Sequence, residues 1–192
     1  MSTEHPDDRR ERFEATALPF MQRLYNTALR LTGDADDAAD VLQDTYFRAY
    51  RTFDNFQPGT NARAWLFTIL YSVFFNRRRK RRREVGPLPP DTLEQRFQLY
   101  VEQPSHDTVG QTEAWGSSWP PEVQRALAAL PEMFRAAVLL VDVEELSYEE
   151  AATALDCPVG TVRSRVFRAR RMLFSALAEY ARRAGFVQPE ES

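Results

Sequence analysis

The sequence predicts an all-α protein built as two small helical domains, and three observations carry that prediction. Glycine is scarce, seven in 192 residues, while Ala, Leu, Arg and Glu recur at spacings of three and four. The Val/Thr alternation of a sandwich or barrel is missing. Between Glu84 and Trp119 the pattern gives way to a stretch punctuated by proline and glycine, with six acids against one arginine. The boundaries expected from these features are a mobile charged tail at 1–12, a first domain at 13–84, an acidic linker at 85–120, a second domain at 121–184 and a tail at 185–192. Each half is long enough to bury a modest core.

The first helical stripe is Phe13, Ala17, Phe20, Leu24, Ala28 and Leu31, ended by Gly33. Asp34, three residues before Asp37, is the expected N-cap of the next helix, whose inner face is Ala38, Val41, Leu42, Thr45, Ala49 and Phe53. Asp54 to Thr60 is a turn by composition, and a third helix opens near Asn61 with Ala62, Leu66, Ile69 and Val73 inward. That leaves Arg63, Phe67, Tyr71, Phe75 and Arg78 to form an exposed, ring-bearing basic face. Within the linker a short helix is expected around Leu93 to Tyr100. Beyond it, Val123, Leu127 and Leu130 line one helix, and Pro131 opens another that packs Phe134, Val138 and Val141. Ser147-Tyr148-Glu149-Glu150 is a capping box. A short helix to Leu155, a tight Asp156-Cys157 turn and Pro158 at a helix start complete a helix-turn-helix. On its last helix Val162, Val166, Ala169 and Leu173 share one face.

Several function classes are disfavoured. A single cysteine, Cys157, excludes an internal disulfide and a cysteine-rich zinc site, and there is no apolar run of membrane-spanning length. Without a signal-peptide pattern, the expected location is cytoplasmic. Two histidines, His5 and His106, no glycine-rich phosphate loop and no metal-ligand spacing leave no catalytic set, cofactor or metal to expect. The acid pairs Glu144-Glu145 and Glu149-Glu150 are expected on exposed helix ends.

The net charge of −3 conceals segregated signs. Five aspartates and no base lie between Asp34 and Asp44, whereas Arg77 to Arg83 is seven consecutive cations following an aromatic-rich helix. Rings beside cations suit a single strand with exposed bases. Trp65, Phe67, Tyr71, Phe74 and Phe75 are the candidate rings, against the ordinary alternative that a ring stripe at helical spacing is core. Pro158 to Arg171 carries five arginines and no acid. On a helix entering the major groove, Thr161, Ser164, Arg165 and Arg168 are placed to read bases, while Arg163, Arg170 and Arg171 suit phosphates. The alternative there is a solvated arginine face.

Together these segments resemble bacterial RNA polymerase sigma factors of the extracytoplasmic-function group. The likeness rests on Asp34 to Tyr50, Asn61 to Ile69, Leu146 to Ala152 and Gly160 to Arg165, and it spans Phe13 to Arg83 (region 2) and Pro121 to Arg183 (region 4). The resemblance implies a protein that binds core polymerase through Asp40, Leu42, Gln43, Asp44 and Phe47. It further implies that the melted minus-ten strand is held by Asn55, Phe56, Gln57, Asn61, Arg63, Trp65, Phe67, Tyr71, Arg77 and Arg78, the turn Asp54 to Thr60 receiving a flipped base. The minus-thirty-five duplex would be met by Thr161, Arg163, Ser164, Arg165, Arg168 and Arg171. The linker would thread toward the active-site cleft, and the phrase Phe56 to Asn61 is similar to members paired with anti-sigma factors. A stand-alone helix-turn-helix regulator is the competing reading; it accounts for Pro158 to Arg171 but leaves the aromatic-basic helix idle.

Overall fold

A computed structural model describes residues 6–85 and 119–186; the short helix expected around Leu93 to Tyr100, and nearly all of the expected linker, lie outside them. Every regular element among the described residues is helical: α1 (Pro6–Ala17), a 3₁₀ turn (Leu18–Phe20), α2 (Met21–Thr32), α3 (Ala35–Arg51), a second 3₁₀ turn (Phe53–Asn55) and α4 (Ala62–Val85), then α5 (Pro121–Ala129), α6 (Glu132–Val138), one π-helical turn (Leu139–Val143), α7 (Tyr148–Ala154) and α8 (Val159–Arg183). No helix among the described residues is long and apolar enough to cross a membrane.

The local signals operate as their chemistry requires. Gly33 adopts φ 75° and its amide returns to the Leu29 carbonyl, closing α2. Asp34 then accepts from the Asp37 amide at 2.9 Å and caps α3. Both halves of the Ser147–Glu150 capping box form. Asp156, at φ 48°, makes the tight turn into α8, whose inner face is Val162, Val166 and Ala169.

Two expectations at the N-terminus are corrected. Helix begins at Pro6, inside the segment expected to be a mobile tail, because Phe13 of α1 is buried edge-on against Tyr46, Tyr50 and Phe53. The continuous stripe from Phe13 to Leu31 is also broken at Leu18–Phe20, where Pro19 supplies no amide for an α-helical bond.

The largest departure concerns α4. Phe67 and Tyr71, expected on an exposed basic face, are fully buried, and Phe74 nearly so. One side of α4 packs on α2 and α3 and another on α7, so rings left over by the first bundle are covered by the second. The main core consequently runs from Phe13, Leu24 and Leu66 through Tyr71 to Leu139, Leu146 and Val166, while a smaller cluster of Leu127, Leu130, Phe134, Val138 and Ala169 belongs to the C-terminal half alone. The main core is thus shared by the two halves, and only the smaller cluster belongs to one of them.

The end of α4 is tied back to α3 by charge. Arg81 pairs with Asp37, and Arg77 bridges Asp40 at 2.6 Å and Asp44 at 2.7 Å. The hydrogen bond from Arg81 and the field of Arg81, Arg77 and Arg78 hold the Asp37 carboxyl below its ordinary value of 3.8, outweighing its partial burial. A carboxyl depressed in the folded state stabilises it above the unfolded-state ionisation and loses that contribution as pH falls through the folded one. Asp37→Asn should therefore be less stable than the parent at neutral pH, with the gap closing once the pH drops below about 3.8; denaturant titrations of both proteins across pH measure it, and a gap independent of pH would contradict this assignment.

Candidate nucleic-acid interface

The turn between α3 and α4 is stiff for an exposed loop. The Phe56 amide returns to the Phe53 carbonyl at 2.9 Å, Gly59 sits at φ 88°, where a side chain would strain the backbone, and the Thr60 hydroxyl donates to the Gln57 carbonyl at 2.7 Å. Asn61 then caps α4 by accepting from the Ala64 amide. Beneath the turn Phe56 stacks parallel to Phe53, with ring centres 6.0 Å apart, and lies 4.9 Å from Trp65. Asn55, Gln57 and Asn61 are exposed at the rim, and Phe56, Arg63 and Trp65 are half-buried beside them.

The structure thus brings together six of the residues expected to meet a single strand and separates the rest. Phe67 and Tyr71 cannot stack on bases from inside the core, and the burial of Tyr71 holds its phenol well above the ordinary tyrosine range. Arg77 and Arg78 lie on α4 about 21 Å further along the axis than Arg63, at 1.5 Å per residue. Their guanidinium groups are engaged with Asp40 and Asp44, and with Glu132 at 2.8 Å.

Of the expected polymerase-facing residues on α3, Asp40 and Gln43 are exposed, Leu42 and Asp44 half-buried, and Phe47 is 62% exposed. Phe167, Phe174 and Phe186 in the C-terminal half are as exposed or more so. On α8 the arginines differ. Arg168 and Arg171 project outward with Ser164. Thr161 is half-buried, and Arg165 is also half-buried, donating to Cys157 Sγ at 3.4 Å. Arg163 lies 3.9 Å from Glu149 and near the Tyr148 ring, and Arg170 makes a two-pronged pair with Asp142.

Sequence reasoning missed the polar seam between the halves. Glu144, expected on an exposed helix end, is 2% exposed and is the one buried carboxylate among the described residues. It accepts from the Thr27 hydroxyl at 2.7 Å and from Arg23 at 3.1 Å, both on α2. Tyr71 donates to the Ala136 carbonyl at 3.3 Å and Arg135 to the Leu31 carbonyl at 3.1 Å. At the rim of the turn, Asn61 donates to Glu150 at 2.6 Å and Arg63 to the Glu145 carbonyl at 3.3 Å. The carboxylate that caps α7 through the Ser147 amide therefore also holds the cap residue of α4. Glu145 reaches that position with φ at 54°, just after the π turn. A polar pattern alone does not reveal partners more than a hundred positions away in the chain, such as Thr27 and Glu144.

The same segments match known families. The Sigma-70 region 2 family model covers residues 18–84 and the Sigma-70, region 4 model residues 121–173, which defines the class: a helical transcription-initiation protein of sigma-70 type. Similar proteins include the ECF RNA polymerase sigma factor SigE of Mycolicibacterium smegmatis, 39% identical over 83% of this chain and 59% of its own length. EcfG of Rhodopseudomonas palustris is 41% identical over 78% of this chain and 76% of that protein. The RNA polymerase sigma-H factor of Pseudomonas aeruginosa is 33% identical over 90% and 89%. Among solved structures, the sigma factor RpoE of Bartonella quintana, in complex with the anti-sigma factor NepR, is similar with a TM-score of 0.66 and 32% identity, covering 88% of this chain and 98% of that one. CnrH in complex with the cytosolic domain of CnrY, at a TM-score of 0.59 and 24% identity, shares the fold. The chain belongs to the extracytoplasmic-function group of RNA polymerase sigma factors.

The seam gives a direct test. Glu144→Ala leaves Thr27 and Arg23 without their acceptor and should destabilise the protein by about 1–3 kcal/mol, read as a lower urea midpoint, with Glu144→Gln intermediate because it still accepts from Thr27. An unchanged midpoint for Glu144→Ala would place this carboxylate outside the forces joining the halves.

Proposed function

We propose that this chain is a dissociable specificity subunit of bacterial RNA polymerase, acting in the cytoplasm without chemistry of its own and held in check by an anti-sigma factor. The observation that carries the reading is the coexistence, in one chain, of a stiff turn with Asn55, Gln57 and Asn61 at its rim and of an α8 helix whose outward Ser164, Arg168 and Arg171 have no acid among them. The turn suits an unpaired strand, with Phe56, Arg63 and Trp65 as its flank; the helix suits a major groove. Exposed Phe47, with Asp40, Leu42, Gln43 and Asp44, supplies a mixed apolar and acidic surface for core polymerase. The functional units proposed are 13–84, extended by α1, and 121–184, with 85–120 as the connection.

The hydrogen bonds of Asn61 to Glu150 and of Arg63 to Glu145 have a mechanistic consequence. Both donors belong to the set assigned to the minus-ten strand, and both are occupied by the C-terminal half, two of whose acids stand where a strand's acceptors would come. Strand capture then requires the halves to part, a hinge movement at a seam of polar contacts and of apolar packing around Tyr71. The sigma factor RpoE of Bartonella quintana was solved in complex with the anti-sigma factor NepR, and its likeness spans both halves of this chain, which supports a partner of that kind here.

Run-off transcription from a library of randomised promoters with bacterial core polymerase tests the reading: initiation from a shared two-element sequence is expected only when this protein is added, and duplex binding by the protein alone without initiation would instead indicate a stand-alone regulator. Arg168→Ala should cost about 1–3 kcal/mol of discrimination at one upstream base pair; equal weakening on every sequence would make Arg168 a phosphate contact. Asp44→Arg should reduce affinity for core polymerase, and unchanged affinity would remove this face of α3 from the docking surface.

A further inference from the structure

The matched region 2 segment begins at residue 18, so α1 lies wholly ahead of it, yet α1 is attached to the base of the turn assigned above to the minus-ten strand. Arg9 makes three contacts there. Its Nε donates to Asp54 Oδ1 at 2.8 Å, a second nitrogen donates to the Tyr50 carbonyl at 2.6 Å, and its guanidinium lies 4.5 Å from the centre of the Tyr50 ring. The Tyr50 carbonyl is one of the last of α3, where acceptors lack helical partners, and a cation suits that end of a helix. Asp54 is the first acid of the turn, 68% exposed, so Arg9 offsets a negative charge at the mouth of a site for an anionic strand. One turn of helix further on, Phe13 packs against Phe53 at 5.3 Å, and Phe53 in turn meets Phe56 and Trp65. A continuous path of contacts joins α1 to the side chains at the rim.

We propose that Arg9 is a positioning residue for minus-ten recognition: from α1 it fixes the turn beginning at Asp54 in the register that selects the flipped base and neutralises Asp54 beside the strand. The inference rests on the strand-binding assignment of the turn. Arg9 does not touch polymerase-facing residues of α3, so its effect falls on the strand and on base choice.

The test uses the full-length chain reconstituted with core polymerase and a single-stranded oligonucleotide carrying the minus-ten sequence selected in the promoter library, alongside versions substituted at the base that matters most. Arg9→Ala should weaken strand binding about three- to fivefold, the range of an exposed ion pair, and flatten the ratio between preferred and substituted bases, with core affinity unchanged. Arg9→Lys keeps the charge but lacks the planar fork that reaches Asp54 and Tyr50 together; it should recover overall affinity but not the ratio. A wild-type base ratio in both variants would overturn the positioning role. Parallel loss of core affinity and helicity in both would reduce α1 to a purely structural element, which also overturns it. Failure of the unmutated holoenzyme to bind the strand at all would instead remove the functional assignment of the turn.

Discussion

Burial of α4 on two sides is the constraint on which the rest of the structure depends. Leu66, Leu70 and Val73 share the helix with Phe67, Tyr71 and Phe74, and no single neighbour can cover all of them. The first bundle covers part; α7 from the C-terminal half, with Ala151, Ala152 and Ala154 in the same core, meets the remainder. Once Tyr71 is enclosed, its hydroxyl needs an acceptor, and the Ala136 carbonyl provides it. The position of the helix-turn-helix relative to the turn between α3 and α4 follows from that packing.

Charge arranges itself around the same helix. Its basic end is engaged by α3 acids and Glu132, and its first turn by Glu145 and Glu150, so a chain of segregated charge folds with cations and anions in register. Exposed pairs of this sort contribute little individually. Glu144 differs, because a buried carboxylate must find donors, and Thr27 and Arg23 can supply them only while the halves are together. A seam of this composition, polar at its edges and apolar at one helix, resembles the separable interfaces between domains.

Features governed by short-range backbone chemistry were legible in the sequence. Gly33 and Asp34, the Ser147 box, the Asp156 turn and the Val162, Val166, Ala169 face all depend on neighbours a few residues away. Pro19 was equally local, and its interruption of the first helix could have been anticipated from the missing amide. What periodicity could not supply was the number of partners each helix has. It marks Phe67 and Tyr71 as lying off the stripe of Leu66 and Val73, which for a helix with one neighbour means exposure and for α4 means a second interface. The same limit hid α1: charged residues over 6–12 look like a tail until Phe13 finds its three rings. In the candidate site, the turn and the arginine helix were legible because their residue types are distinctive; the engagement of Asn61, Arg63, Arg77 and Arg78 depended on tertiary contacts.

The proposed function requires the two halves to form one body in the free protein and to part when polymerase and promoter are engaged. Spin labels at Ala39→Cys and Ser175→Cys in a Cys157→Ser background would report it by pulsed electron resonance. A single narrow distance in the free protein that changes on adding core polymerase and promoter DNA is the predicted result. A broad distribution in the free protein, or a distance unchanged in the promoter complex, would contradict it.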